Sequence, residues 1–250
     1  MLAALAWGWL SGNAIAAEEV IVLPLRVHVL TADDLPEVDC QLSDEDVRRV
    51  VGKVNGIWSA ARIHWGVESI VREPAGGQRR FQLVRDLEGQ APLGMFRILR
   101  PEGTRRFDGL HVYYVHRMPV NGVYMDEDFA IVQETARLRE VEGGIDEPLP
   151  RVTAHELGHV LGLPHRQDTT NLLASGTTGT TLNALEIAAS RKAAAKVPGA
   201  MTAATLRVAA EETEAQGKAE RGRLLRGWLA EIGKAEEPTA SFRPGRENSR

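Results

Sequence analysis

Leu23, Leu25, Val27 and Val29 alternate with Pro24, Arg26 and His28, a period of two that predicts a strand over residues 20–30. Proline cannot donate to a ladder, so Pro24 predicts that this strand starts at a sheet edge. The period then changes. Val47, Val50, Val51, Val54, Ile57, Trp58 and Ala61 recur at helical spacing behind Ser43, a good N-cap, with Asp46 at the third helical position and Leu42 placed to staple onto Val47. Ile63 to Val71 predicts a returning strand, 73–80 a loop and Phe81 to Val84 a short strand. Leu110 to His116, Gly122 to Met125 and Phe129 to Gln133 predict three more. A strand, one long helix and then several strands indicate a mixed sheet of the α/β or the α+β class.

Further on, Pro150 suits the first residue of a helix, and Asn183 with Glu186 caps another that runs to about Lys196. Residues 203–233 predict one or two charged helices with Leu224, Leu225, Trp228, Leu229 and Ile232 as their apolar stripe. The domain reading is a signal peptide over 1–17, a catalytic domain over 18–200, a helical extension over 201–235 and a disordered tail over 236–250. The first of these rests on the uncharged stretch Leu2 to Leu10 followed by Ala14-Ile15-Ala16, and it predicts a secreted or periplasmic protein.

Composition narrows the function. Apolar residues make up 43% of the 250, enough for a packed core, and a net charge of -4 provides no basic field for nucleic acid. No apolar run is long enough for stable membrane insertion. The single cysteine, Cys40, excludes an internal disulfide and, lying between a strand and a helix, reads as a packed or free thiol.

Residues 151–165 read Arg-Val-Thr-Ala-His-Glu-Leu-Gly-His-Val-Leu-Gly-Leu-Pro-His. His155 and His159, four apart on a helix, project from one face and can grip one ion. Glu156 sits about 100° round the helix, placed to reach water at the metal without ligating it. A third ligand must come from outside the helix. Gly162 can take the left-handed conformation that ends the helix and Pro164 blocks its continuation, so His165 can return to the metal. Three histidines leave a fourth position open, the arrangement of a catalytic zinc rather than a structural one. The bland alternative, core histidines on an amphipathic helix, would leave three clustered polar rings unsatisfied.

The run from His155 to His165 resembles the metzincin zinc peptidases, and within them it is most similar to the matrixins (the matrix metalloproteinase type) and to pappalysin-like peptidases. The resemblance covers about residues 20–197. It implies an upper half with a twisted, mixed five-stranded sheet and two helices, the second carrying His155 and His159. The lower half would be mostly irregular and end in the helix beginning near Asn183. These families place a methionine in a turn beneath the metal; this chain has Leu173 there, within Asn171-Leu172-Leu173-Ala174-Ser175. Ser175 also stands where some metzincins have an additional tyrosine ligand.

The function expected is that of a zinc endopeptidase acting on a peptide or protein substrate. His155, His159 and His165 hold the metal and Glu156 is the general base. Gly122, Val123, Tyr124 and Met125 are the candidate edge strand for an extended substrate, and Leu173 lies under a pocket between His159 and the loop from Leu172 to Thr181. Two rivals stand beside it: a metal-loaded but inactive fold acting as a binding module, and a zinc hydrolase of non-peptide amides. His28, His64, His111 and His116 show no ligand spacing. Asp126, Glu127 and Asp128 read as a solvated acidic turn, with calcium as the rival.

Overall fold

The computed structural model describes residues 19–236, apart from 107–108 and 126–127. The expected signal peptide, the first two residues of the acidic turn and the tail from 237 lie outside the described residues.

Strand β1 (Ile21–Thr31) is buried along nearly its whole length, because it lies inside the sheet and not at its edge. It pairs in parallel with β2 (Ile63–Pro74) on one side and with β3 (Leu110–Val115) on the other. Beyond β3 come β5 (Phe129–Gln133), parallel to β3, and β4 (Gly122–Tyr124), antiparallel to β5. The order β2-β1-β3-β5-β4 is a mixed five-stranded path, and the two-residue β6 (Met201–Thr202) adds to it by pairing with Ile21 and Val22 of β1. Pro24 is therefore not at an edge. On that side it falls in the gap between the β6 pairs and the first β3 pair at Leu25, where a missing N–H costs little.

Helix α1 (Asp44–Trp58) starts as its sequence requires: the Ser43 side chain accepts from the Asp46 amide while the Asp46 carboxylate accepts from the Ser43 amide. Its buried face packs on the sheet and on α3 (Pro148–Val160), with the Trp58 indole donating to the Ala154 carbonyl at 3.3 Å. The alternate residues Leu23, Leu25, Val27 and Val29 of β1 meet this layer. The other face of the sheet is covered by α2 (Gln78–Glu88) and the 3₁₀ turns that follow it. The expected strand Phe81 to Val84 is thus the middle of a helix. Only Phe81 of that run is buried, edge-on to Phe96, while Leu83 is 60% exposed.

After α4 (Ala184–Ala194), capped by reciprocal bonds between Asn183 and Glu186, the chain forms a helical hairpin of α5 (Ala203–Ala215) and α6 (Ala219–Glu236). Leu225, Trp228 and Ile232 bury themselves with Val22, Leu206 and Ala210. The hairpin lies by the outer strand β2, whose exposed backbone is already engaged. Asn55 accepts from the Trp65 amide at 2.7 Å and donates to its carbonyl at 3.2 Å, and Trp228 donates to the Val67 carbonyl at 3.2 Å. An edge strand blocked in this way does not template another chain.

Candidate zinc site

Helix α3 begins at Pro148, so Pro150 is its third residue and not its first; both precede the point where a main-chain N–H is needed. Glu147, just before it, is held by Arg49 and Lys53 of α1. The helix ends in a Schellman arrangement. The Gly162 amide donates to the His159 carbonyl at 2.9 Å, the Leu163 amide donates to the Gly158 carbonyl at 3.0 Å, and Gly162 takes φ 79°. That reversal brings His165 back over the helix.

The three Nε2 atoms converge: His155 to His159 is 3.1 Å, His159 to His165 is 3.2 Å and His155 to His165 is 3.3 Å. Nitrogens bound tetrahedrally to zinc at 2.0–2.1 Å lie roughly 3.3 Å from one another, so the donor set fits that ion. Hydrogen bonds fix two of the rings from behind. His155 Nδ1 donates to the Leu172 carbonyl at 2.8 Å and His159 Nδ1 to the Leu163 carbonyl at 2.7 Å, which leaves both Nε2 lone pairs for a metal. Burial pushes the His155 imidazole down to about 3 and lowers that of His159, so both rings are neutral, as ligands must be. His155 is buried and His165 exposed, so the group opens to solvent on one side.

Glu156 is 5% exposed. Burial pushes its carboxyl up to about 7, against the Tyr124 backbone N–H that donates to it and the positive field of Arg151. Gly122 shows how closely β4 approaches: a Cβ there would stand 2.9 Å from Glu156 Oε1 and 2.8 Å from Val152 Cγ1. Of the four residues expected along this edge, Gly122 and Tyr124 adjoin Glu156. Val123 and Met125 pack into the core on the far side of the sheet.

Leu173, expected among the substrate contacts, is fully buried and so contributes as a floor rather than as a surface for substrate. A Cβ on Gly158 would come within 3.1 Å of its Cδ1, so Leu173 supports α3 between the two helical ligands. The turn is tied by Asn171, whose Oδ1 accepts from the Leu173 amide at 2.7 Å and whose Nδ2 donates to Glu186 at 2.8 Å. Leu173→Met conserves volume, and its expected cost is under about 1.5 kcal/mol with activity within a few fold of the starting protein. A gain of orders of magnitude in turnover would show instead that leucine cripples the site.

Sequence reasoning missed the role of Arg151, and it placed Asn171 in the turn and Glu186 in a helix cap without the bond between them. For Arg151 a signal existed: it precedes His155 by four residues, in phase with both helical ligands. The guanidinium is 1% exposed and donates to the carbonyls of Gly179, Asn171 and Ala174.

The other histidines stay outside this group. Beneath the opposite face of the sheet, His28 Nε2 lies 2.9 Å from His111 Nδ1, and His28 Nδ1 lies 2.6 Å from Glu73, a pairing that sequence spacing did not disclose. His116 meets Glu134 at 2.6 Å and His64 meets Glu231 at 3.0 Å. Cys40 is a buried free thiol that donates to Glu134 at 3.3 Å. Asp128 receives both forks of Arg100, at 2.8 and 2.7 Å. Among the described residues, His155, His159 and His165 form the one group able to hold a metal, and no helix is long and apolar enough to cross a membrane.

The family model of the matrixins matches residues 82–190. No curated protein matches the chain. Among solved structures, archaemetzincin from Methanopyrus kandleri is 16% identical with a TM-score of 0.45, over 70% of this chain and 96% of that one. Metalloproteinase-II from Bacteroides fragilis is 11% identical with a TM-score of 0.42, over 68% of this chain and 53% of that one. The matrixin match takes in most of α2, the β3–β5 strands, all three histidines and most of α4, so this stretch is similar to the matrixin zinc metallopeptidases and carries a donor set that fits zinc.

Proposed function

We propose that the protein is an endopeptidase that hydrolyses internal peptide bonds with Glu156 as its general base. The observation that carries this reading is the position of Glu156: next to His155, buried, and in contact with the edge strand β4. Zinc, when bound by the three histidines, would supply Lewis acidity toward the scissile carbonyl and a nucleophilic water at neutral pH.

The chain's own residues do the rest. A carboxyl pushed up toward neutrality is matched to proton transfer at physiological pH. Glu156 takes a proton from the attacking water as the new C–O bond forms. It gives that proton to the amide nitrogen as the C–N bond breaks, so the amine leaves neutral and the carboxylate is regenerated. The substrate backbone lies along β4 as an added strand, with Gly122 allowing its approach. A side chain after the scissile bond enters between His159 and the loop from Leu172 to Thr181. Export through the segment 1–17 would place this activity outside the cytoplasm.

The test is cleavage of a mixed peptide library by purified protein of measured zinc content. Internal cleavage is expected, abolished by a chelator and restored by added zinc. Full zinc occupancy with no cleavage anywhere in the library would replace the enzyme with a metal-loaded binding module.

A further inference from the structure

We propose that Arg151 is a positioning residue for the metal site, a buried clamp that fixes the turn on which His155 leans. This rests on the zinc-site reading above but not on the cleavage of peptides. The clamp acts on the carbonyls of the turn. Those of Asn171 and Ala174 accept from Arg151 Nη2, and between them in sequence the carbonyl of Leu172 accepts from His155 Nδ1 at 2.8 Å. Nε of the same guanidinium donates to the Gly179 carbonyl at 3.0 Å, gripping the far end of the loop. One rigid planar fork therefore joins two points of a segment that has little regular structure to α3, one turn before the first ligand.

Geometry also says why the Leu172 carbonyl must be held in place. Arg151 Nη1 lies 3.2 Å from His155 Nδ1. A guanidinium can only donate. Nδ1 therefore has the Leu172 carbonyl as its acceptor, and that bond holds the ring with Nε2 toward the other two ligands. With Nη2 committed to the carbonyls of Asn171 and Ala174, on either side of Leu172, Arg151 keeps the turn in the position that orients His155 as a ligand. Partners of this kind behind metal-binding histidines are worth about 10–100-fold in metal affinity.

The experiment compares the full-length protein with Arg151→Met, which removes every donor, and Arg151→Lys, which keeps the charge but not the fork. Three readouts are taken: zinc affinity by chelator competition, the ligand-field spectrum after cobalt substitution, and amide hydrogen exchange of the zinc-saturated protein. Arg151→Met is expected to lose 10–100-fold in zinc affinity, to shift the cobalt spectrum and to lose protection at the Leu172, Thr178 and Thr181 amides while α3 stays protected. Arg151→Lys should lie between it and the unmodified chain, and it carries the test if the Met variant does not fold. Unchanged zinc affinity, or reduced affinity with the loop amides and cobalt spectrum intact, would overturn the clamp. A zinc-loaded protein that cleaves no peptide would defeat the peptidase reading and leave these three readouts fully interpretable.

Discussion

Glu156→Gln should abolish most peptide hydrolysis and leave zinc content unchanged. The amide keeps the size and shape of the carboxylate, and its oxygen can still accept from the Tyr124 N–H that holds Glu156 beside β4. What it loses is basicity. General acid–base catalysis typically contributes about 10²–10⁴-fold, and the fall in turnover should be at least that large. Stability should be equal or slightly higher, because a carboxyl that burial has already pushed up to about 7 contributes little as an ion. The three histidines are untouched and their Nδ1 partners lie elsewhere, so zinc occupancy measured by elemental analysis should match the unmodified protein. A variant that cleaves peptides at the original rate would exclude Glu156 as the base.

The metal ligands were legible because their constraints are local. The spacing of His155 and His159, the helix stop at Gly162 and the return of His165 all lie within a few turns of chain, where backbone geometry leaves few alternatives. The cap of α1 was legible for the same reason, since Ser43 and Asp46 satisfy each other without help from the rest of the molecule. The run from Phe81 to Val84 was not. Four residues are too few to separate a period of two from one of 3.6, and the decision is taken by the Phe81–Phe96 contact, which the local sequence does not contain. Pro24 misled for a related reason: a proline rule reads one strand, while the gap that accommodates it is set by β3 and β6, far along the chain. Arg151 belongs to the same class. Its burial is tolerable only because carbonyls some 20 to 28 residues later arrive to meet it.

Trp228→Ala is expected to be the most damaging single truncation in the C-terminal hairpin, at about 3–5 kcal/mol. The indole is 2% exposed and shares its cluster with Val22, Leu206, Ala210, Leu225 and Ile232. Its ring lies so close over Gly66 that a Cβ there would stand 2.6 Å away, and the guanidinium of Arg221 lies 5.6 Å from the ring. Truncation removes this packing and also uncovers the Val67 carbonyl, which Trp228 Nε1 holds at 3.2 Å on the outer strand of the sheet. Two consequences are separable. Denaturant unfolding should show the loss of stability, and limited proteolysis should cut the α5–α6 hairpin before the sheet. Zinc affinity should hold, because the hairpin packs on β1 and β2 while the ligands stand on α3 and the segment after it. A change in unfolding free energy below about 1 kcal/mol would mean that the hairpin is not docked through this residue, since burying a large aromatic side chain is ordinarily worth several times that.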